Sequence, residues 1–169
     1  HLPLSVIMTK KIGYPGQEEY AVGAVSLKGI VLNPDVELPK SFIETETKRI
    51  RKILEERYVL YTGQPIPISV KNKIVILVDD GIATGQTMFA AIEAVKSQIP
   101  KKVVVAVPVG PPDTLRRLKD VVDDVVYLHS PAVFFAVGQF YFEFEQVDDE
   151  RAIALIGKAN EHYNKRKRS

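Results

Sequence analysis

The chain has 169 residues, a length that fits one domain with a sizeable hydrophobic core. Its 23 basic and 21 acidic side chains leave a net charge of +2, which gives no reason by itself to expect nucleic-acid or membrane binding. The absence of cysteine excludes disulfides and thiolate metal sites and favours a cytoplasmic location. No apolar run approaches the ~18 residues of a membrane-spanning helix. From the length we expect one domain over 1–169.

The N-terminal part of the chain predicts a strand followed by a loop. The strand covers residues 4–9 and runs into the basic pair Lys10 and Lys11. Residues 13–23 contain three glycines and one proline around a polar middle, a composition that is typical of a mobile loop. A short strand over 29–32 follows. The basic pair is therefore predicted between a strand end and a mobile loop.

The middle of the chain alternates between strand and helix patterns. Apolar residues at helical spacing predict an amphipathic helix over 41–61, with Ser41 and Glu44 as a capping box at its start. The later strands are predicted at 74–78, 103–109 and 125–128, and the helices between them at 88–99 and 112–122. This order predicts an α/β fold with a mainly parallel, twisted sheet flanked by helices.

The last third of the chain is rich in aromatic residues. Six of the fourteen aromatic side chains fall within residues 134–144. Over residues 140–145, phenylalanines alternate with a tyrosine and two glutamates, which predicts a strand with one apolar face. A final helix over 152–159 precedes a basic tail at 164–169, which we expect to be solvated.

One segment is more informative than the rest of the chain. Residues 75–87 read V-I-L-V-D-D-G-I-A-T-G-Q-T, a buried strand that ends in Asp79 and Asp80. Ligands of parallel α/β sheets bind where loops open a crevice at the carboxyl ends of the strands. Two ionised carboxylates at that edge only accept hydrogen bonds, and they suit neighbouring hydroxyl groups such as those of a ribose. The segment therefore predicts a sugar site.

The turn after the two carboxylates predicts a phosphate site. It leads into a helix, whose first N–H groups lack intrahelical partners and whose dipole attracts anions. Thr84 and Thr87 can add hydroxyl donors, and Gly85 tolerates a positive φ. The segment lacks the lysine of a P-loop and the glycine pattern of a dinucleotide site. The alternative is a plain strand-to-helix turn with Thr84 as N-cap, but two acids, two glycines and two threonines in this order favour a ligand site.

The segment resembles the phosphoribosyl-pyrophosphate (PRPP) signature of type I phosphoribosyltransferases, in which aliphatic residues, two acids and a small-residue loop precede T-G-x-T. A less specific resemblance extends over about 4–147. It implies the fold of that family, and it implies that Asp79 and Asp80 hold the ribose hydroxyls. It also implies a cradle for the 5-phosphate, formed by Gly81, Ala83, Thr84, Gly85, Gln86 and Thr87.

The same resemblance implies a reaction and a cofactor. The 5-phosphoribosyl group of PRPP would move to a nitrogen acceptor, a nucleobase or related heterocycle, with release of pyrophosphate. Mg²⁺ would arrive bound to PRPP, with water and no direct protein ligand completing its coordination. Family members are commonly homodimers, so we expect a homodimer here too, with no membrane partner.

Further site residues follow from position and from the resemblance. Lys10 and Lys11 could neutralise the leaving pyrophosphate, and the alternative is a solvated charge pair at a strand end. Residues 10–16 are similar to the mobile loop of adenine-type members, which closes over the reacting centre. Glu18 or Glu19 would then act as the general base, with Lys11 as a second catalytic residue. The alternative for the two acids is ordinary loop solubility.

The aromatic segment at 129–147 stands where the family builds a small C-terminal hood over the acceptor base. Phe134 and Phe135 are the predicted stacking residues, although a small satellite core is the alternative for either ring. Two features depart from the family pattern. Ala83 replaces an acid of several purine-specific members, which excludes a carboxylate base at that position. The residues before Leu4 do not supply the family's first strand and pyrophosphate loop; we expect these upstream of residue 1, and the alternative is that the protein binds pyrophosphate in another way.

The residues and the resemblance leave two functional hypotheses. The leading hypothesis is a phosphoribosyltransferase, and the residues leave purine, pyrimidine and other acceptors open. The alternative is a PRPP-sensing regulator of the same fold that binds RNA or DNA through a basic surface. Nucleic-acid binding is the less favoured hypothesis, because the net charge is close to neutral and the basic tail at 164–169 is its main support.

Overall fold

Two three-stranded sheets organise the chain. The structure, a computed structural model, describes residues 2–33, 35–64 and 67–167, without the side chains of residues 18, 19, 162 and 164–167. The strands and helices in chain order are β1 Thr9–Tyr14, β2 Gln17–Ser26, β3 Ile30–Leu32, α1 Lys40–Thr62, β4 Ile74–Val78, α2 Gln86–Lys96, β5 Lys102–Val109, α3 Pro112–Lys119, β6 Asp124–His129 and α4 Asp149–Lys167. A 3-10 helix at Val137–Phe140 lies between β6 and α4.

The second sheet is parallel and has the strand order β4-β5-β6. Val78 at the end of β4 pairs with Ala106, and Val109 at the end of β5 pairs with His129 of β6. Helices α2 and α3 connect successive strands, so each crossover returns the chain to the end of the sheet at which the strands begin. The predicted parallel α/β arrangement is thereby confirmed, since β4 pairs with β5 and β5 with β6 in parallel.

The main hydrophobic core lies between one face of this sheet and the helices α2 and α3. Ile92, Val105 and Leu118 are completely buried there. The opposite face carries Val78 and Leu128, whose exposed fractions are 73% and 85% in the part of the chain that the structure describes. The sheet therefore has one packed face and one open aliphatic face. The packed face holds the strands in place, and the candidate ligand site lies at their carboxyl ends.

The first sheet is an antiparallel hairpin extended by β3, and it corrects two predictions. The strand predicted at 4–9 begins only at Thr9, and most of the loop predicted at 13–23 belongs to β1 and β2. The composition was misleading because Gly23 serves strand packing, not mobility: a Cβ at this position would collide with the backbone carbonyl of Val31. Only the turn at Pro15 and Gly16, where Gly16 has φ 77°, behaves as the glycines suggested.

Two further predictions about local structure are wrong. Helix α1 starts at Lys40 and is preceded by Pro39, whose carbonyl oxygen accepts from the N–H groups of Phe42 and Ile43, and no side chain caps it. The strand predicted at 140–145 does not form: Phe140 ends the 3-10 helix, and residues 141–145 pair with none of the strands in the described residues.

The final helix is longer than predicted and includes residues 164–167 of the expected tail, whereas residues 168–169 lie outside the described residues. The side chain of Asp148 accepts from the N–H of Arg151 at 2.7 Å and so caps the start of α4. Among the helices of the described ranges, none is long and apolar enough to cross a membrane.

The contrast between the two sheet faces predicts a contrast between two leucines. Leu118→Ala should lower the free energy of unfolding by about 2–5 kcal/mol, because Leu118 is completely buried in the core. Leu128→Ala, the matched change at an exposed position, should alter it by less than about 0.5 kcal/mol. Urea denaturation of both variants measures these values, and equal losses would contradict the assignment of the packed face.

Candidate functional site

Asp79 and Asp80 follow β4 directly and have unequal surroundings. The side chain of Asp79 accepts a hydrogen bond from the N–H of Asp80 at 3.0 Å, so one carboxylate oxygen already has a partner. The Tyr141 hydroxyl donates to the backbone carbonyl of Asp80 at 2.6 Å. The peptide groups on both sides of the Asp80 side chain are therefore held, which limits the directions in which its exposed carboxylate can point.

The pKa of Asp79 is raised above its ordinary value. Desolvation is the main cause, the hydrogen bond from the Asp80 N–H opposes it, and repulsion from the Asp80 carboxylate adds to it. Among the residues that the structure describes, no basic side chain forms an ion pair with either carboxylate to offset their mutual repulsion. Hydrogen-bond donors from a ligand would compensate for the lost water, as a pair of sugar hydroxyls can do.

The turn that follows is packed against the rest of the fold. The N–H of Ile82 donates to the carbonyl of Val109 at 2.9 Å, which joins the turn to the end of β5. A Cβ at Gly81 would lie 2.6 Å from the side chain of Val137 and 3.0 Å from that of Val109. Gly81 is therefore a position of close approach, where any side chain would push the 3-10 helix away from the strand end.

The start of α2 has the conformation expected of an anion site. Gly85 adopts φ 79° immediately before the helix, as predicted from the sequence, and no side chain caps the first turn. Thr84 is thus not the N-cap that the plain-turn alternative required. A Cβ at Gly85 would approach both Phe89 and Thr114 to 2.9 Å, so the turn is confined by side chains as well as by its backbone. Gln86 and Thr87 are exposed in the first turn.

A cavity of about 1250 Å³ lies between the β1–β2 hairpin, the beginning of α1 and the beginning of α2. Lys10 and Lys11 line it from β1, and Gln86 and Thr87 line it from α2. The structure therefore brings the basic pair and part of the predicted phosphate turn to one space. The fold achieves this by placing the hairpin of the first sheet against the helix that follows the parallel strand β4.

Sequence reasoning missed three charged residues of this cavity. Glu46 and Arg49 line it from α1 and form an ion pair at 2.7 Å, and Arg117 lines it from α3. Arg49 and Arg117 are exposed and Glu46 is partly buried, and charged side chains are ordinary at such helical positions. No sequence signal distinguishes them, because their role depends on which helix face the fold turns towards the cavity.

The remaining predicted site residues lie elsewhere. Asp79 and Asp80 do not line the cavity wall formed by the described residues, nor do the rings of the predicted hood. Phe134 packs against Phe140 with a distance of 5.4 Å between ring centroids, which gives it a place in a small aromatic cluster. Phe135 has an exposed fraction of 86%, so its ring is open to a ligand. A stacking role for either ring stays a prediction.

Two predicted roles cannot be tied to side-chain geometry. The side chains of Glu18 and Glu19 lie outside the described residues, so the general base stays a prediction. Among the described residues, no group of three or more histidine and carboxylate side chains could hold a metal ion. A Mg²⁺ ion held by ligand phosphates and water, without a direct protein ligand, stays a prediction.

Comparison with known proteins identifies the class to which this fold and turn belong. Residues 26–143 match the family described as Phosphoribosyl transferase domain. A protein of Mycobacterium tuberculosis that carries the provisional name phosphoribosyl transferase, found in each of two strains, is 37% identical over 166 residues. The match covers 95% of this chain and 38% of that protein. The crystal structure of TT1426 from Thermus thermophilus superimposes with a TM-score of 0.77 at 40% identity, covering 90% of this chain and 74% of that one.

The chain belongs to the phosphoribosyl transferase domain family, since the match covers more than half of its length. The family and fold predicted from residues 75–87 are therefore confirmed. The chain spans little more than a third of the length of the Mycobacterium tuberculosis relatives, at 38%. The residues of the signature stay predictions for ligand contact, and the activity of the whole protein is a matter for proposal.

The hydroxyl of Tyr141 should contribute measurably to stability. Tyr141→Phe removes the donor to the Asp80 carbonyl, so we expect the free energy of unfolding to fall by about 0.5–1.5 kcal/mol. Tyr127→Phe is the control, because Tyr127 contacts Lys119 through its ring face. Urea denaturation compares the two variants, and an equal effect of both would show that the link to Asp80 contributes nothing.

The raised pKa of Asp79 predicts a gain in stability when its charge is removed. Between the unfolded value of 3.8 and the higher folded value, the folded state binds more protons, so stability falls as the pH rises through this window. Asp79→Asn removes the charge and keeps an oxygen that can accept from the Asp80 N–H. We expect the variant to have the higher Tm at about pH 7, with the difference shrinking as the pH falls. Thermal unfolding across pH tests this, and a lower Tm at neutral pH would contradict it.

Proposed function

We propose that the protein binds PRPP and transfers its 5-phosphoribosyl group to a nitrogen acceptor with release of pyrophosphate. The observation that carries this proposal is the order of groups after β4: two carboxylates, a packed turn, and a helix start that no side chain caps. Family membership supports the use of PRPP in general. The basic pair of β1, in the same cavity as the helix start, supports a second anionic group on the ligand.

The donor would be held through its two chemically different parts. The carboxylates of Asp79 and Asp80 accept hydrogen bonds from the ribose hydroxyls, which offsets the desolvation that raises the pKa of Asp79. The 5-phosphate binds at the first turn of α2, where Gln86 and Thr87 present backbone N–H groups and side-chain donors. Lys10 and Lys11 hold the pyrophosphate, which carries the charge that builds up as it leaves.

In the reaction, the bond between C1 of the ribose and the pyrophosphate oxygen breaks, and a bond between C1 and the acceptor nitrogen forms. The electron pair of the broken bond leaves with pyrophosphate, and Lys10 and Lys11 stabilise its growing charge. Glu18 or Glu19 takes the proton that the acceptor nitrogen releases. Mg²⁺, when bound with PRPP, supplies further neutralisation of the pyrophosphate. Positioning of the two reactants supplies much of the remaining rate enhancement.

The acceptor is proposed to be a heterocyclic base that contacts the segment 129–147. Phe135 supports this, because an exposed aromatic ring next to a strand end can stack on a flat heterocycle. We also propose a homodimer. Phe142 and Phe144 support it as apolar side chains, the first fully exposed and the second half exposed.

Substitutions in the signature should weaken PRPP binding. In isothermal titration calorimetry with Mg²⁺, Asp80→Asn and Thr84→Ala should each reduce the affinity by about ten-fold or more, because the first removes a charged acceptor for the ribose hydroxyls and the second removes a donor to the 5-phosphate. Asp120→Asn is the matched control, because Asp120 is an exposed carboxylate that follows the C-terminal end of α3. Unchanged affinity in both signature variants would rule out this assignment of the turn.

The transfer reaction has its own test. Release of pyrophosphate from PRPP should appear with one class of acceptor in a screen of purines, pyrimidines and related heterocycles. Lys11→Ala should slow this release, while Asp120→Asn should not. Tight PRPP binding without release for any acceptor would instead favour the PRPP-sensing regulator, a function that needs the donor site and no transfer.

A further inference from the structure

We propose that Arg117 of α3 is an additional phosphate-binding residue, which adds a guanidinium to the 5-phosphate end of the cavity. The inference rests on the proposed function, because it names a further contact for the same donor. Four observations carry it: the docking of α3 on the signature turn, the ring contact of Arg117, its lack of a carboxylate partner, and the charge of the cavity wall.

Helix α3 is docked directly on the turn that precedes α2. The hydroxyl of Thr114, which is 6% exposed, donates to the carbonyl of Ala83 at 2.8 Å. The methyl group of the same residue lies beside Gly85, at 2.9 Å from the position that a Cβ would occupy. Arg117 comes three residues later, and residues three apart share one face of a helix. The face of α3 that supports the turn is therefore also the face that carries Arg117.

The side chain of Arg117 is positioned by an aromatic ring of α2. Its guanidinium carbon lies 4.8 Å from the centroid of the Phe89 ring. Phe89 belongs to the first turns of α2, and its ring edge lies 2.9 Å from the Cβ position of Gly85. A ring face uses little of the hydrogen-bonding capacity of a guanidinium, so the N–H groups stay available for a ligand. The contact places this cation next to the helix start where a phosphate would bind.

No carboxylate in the described part of the chain forms an ion pair with Arg117. The adjacent Arg116 differs, since its guanidinium pairs with Asp113 within α3. An arginine without an anion, held by a ring at the edge of a cavity, is suited to bind phosphate through two N–H groups. The two neighbouring arginines therefore differ in their surroundings: Arg116 pairs with a carboxylate on its own helix, whereas Arg117 lines the cavity.

The cavity wall has an excess of positive charge. Lys10, Lys11, Arg49 and Arg117 line it, whereas Glu46 is the one carboxylate among the described lining residues and already pairs with Arg49. Such a wall favours a ligand with several negative charges. Lys10 and Lys11 belong to β1 of the hairpin, whereas Arg117 belongs to α3 and contacts the ring of Phe89 in α2. This division assigns Arg117 to the phosphate at the helix start and the lysines to the other anionic group.

Binding of two partial ligands tests the division. The unmodified protein, Arg117→Gln, Arg117→Lys and the control Arg116→Gln are titrated with ribose 5-phosphate and, separately, with inorganic pyrophosphate. We expect Arg117→Gln to weaken ribose 5-phosphate binding by about ten-fold and to change pyrophosphate binding by less than about two-fold. Arg117→Lys should recover part of the loss, because lysine keeps the charge without the planar pair of donors. Arg116→Gln, which removes the same charge from the same helix, should bind both ligands as the unmodified protein does.

Several results would overturn the proposal. If Arg117→Gln binds ribose 5-phosphate as tightly as Arg116→Gln does, Arg117 makes no contact with the phosphate, and the proposed function stands without it. If Arg117→Gln loses both ligands equally and its Tm also falls, Arg117 acts only through packing on Phe89. If the unmodified protein binds neither ribose 5-phosphate nor PRPP, the proposed function itself fails, and the role of Arg117 fails with it.

Discussion

Three hydrogen bonds that fix the turn between β4 and α2 determine how the candidate site is built. The N–H of Ile82 donates to the carbonyl of Val109. The hydroxyls of Thr114 and Tyr141 donate to the backbone carbonyls of Ala83 and Asp80. They come from a strand end, a helix and the aromatic segment. The turn is thereby set by tertiary contacts on three sides, and the start of α2 is aimed at the cavity without any capping side chain of its own. Preorganised donors of this kind need little rearrangement when an anion binds.

The parallel strands and the signature turn could be predicted because their causes are local. Strand β4 is the predicted aliphatic run, although only Leu77 of it is buried, which corrects the expectation of a buried strand. Gly85 adopts the positive φ that an L residue rarely takes. The hairpin was missed since Gly23 looks like a loop residue, whereas its lack of a side chain allows close strand packing. The predicted aromatic strand failed for the opposite reason: alternation at 140–145 satisfies the local pattern, but a strand also needs a neighbour to pair with.

The contribution of Arg117 could not be predicted from the sequence for a third reason. Its spacing from Thr114 is visible, but the docking of that helix face on the signature turn is a property of the folded chain. The same holds for the hydrogen bond between Tyr141 and Asp80, which joins residues 61 positions apart. The two acids of the signature also look interchangeable in the sequence. In the fold both are exposed, but Asp79 has a backbone partner and a raised pKa, whereas Asp80 has its own N–H and carbonyl groups held by hydrogen bonds.

The close packing of Gly81 between Val109 and Val137 has a consequence for how acceptor preference can change within this fold. Val137 belongs to the segment proposed to face the acceptor, yet its methyl groups touch the turn proposed to hold the donor. A larger or differently shaped residue there would shift both halves of the site together. Phe135, two residues earlier, has no such constraint on its exposed ring. The acceptor side can therefore diversify at the outer positions of the segment while its inner position stays tied to the donor side.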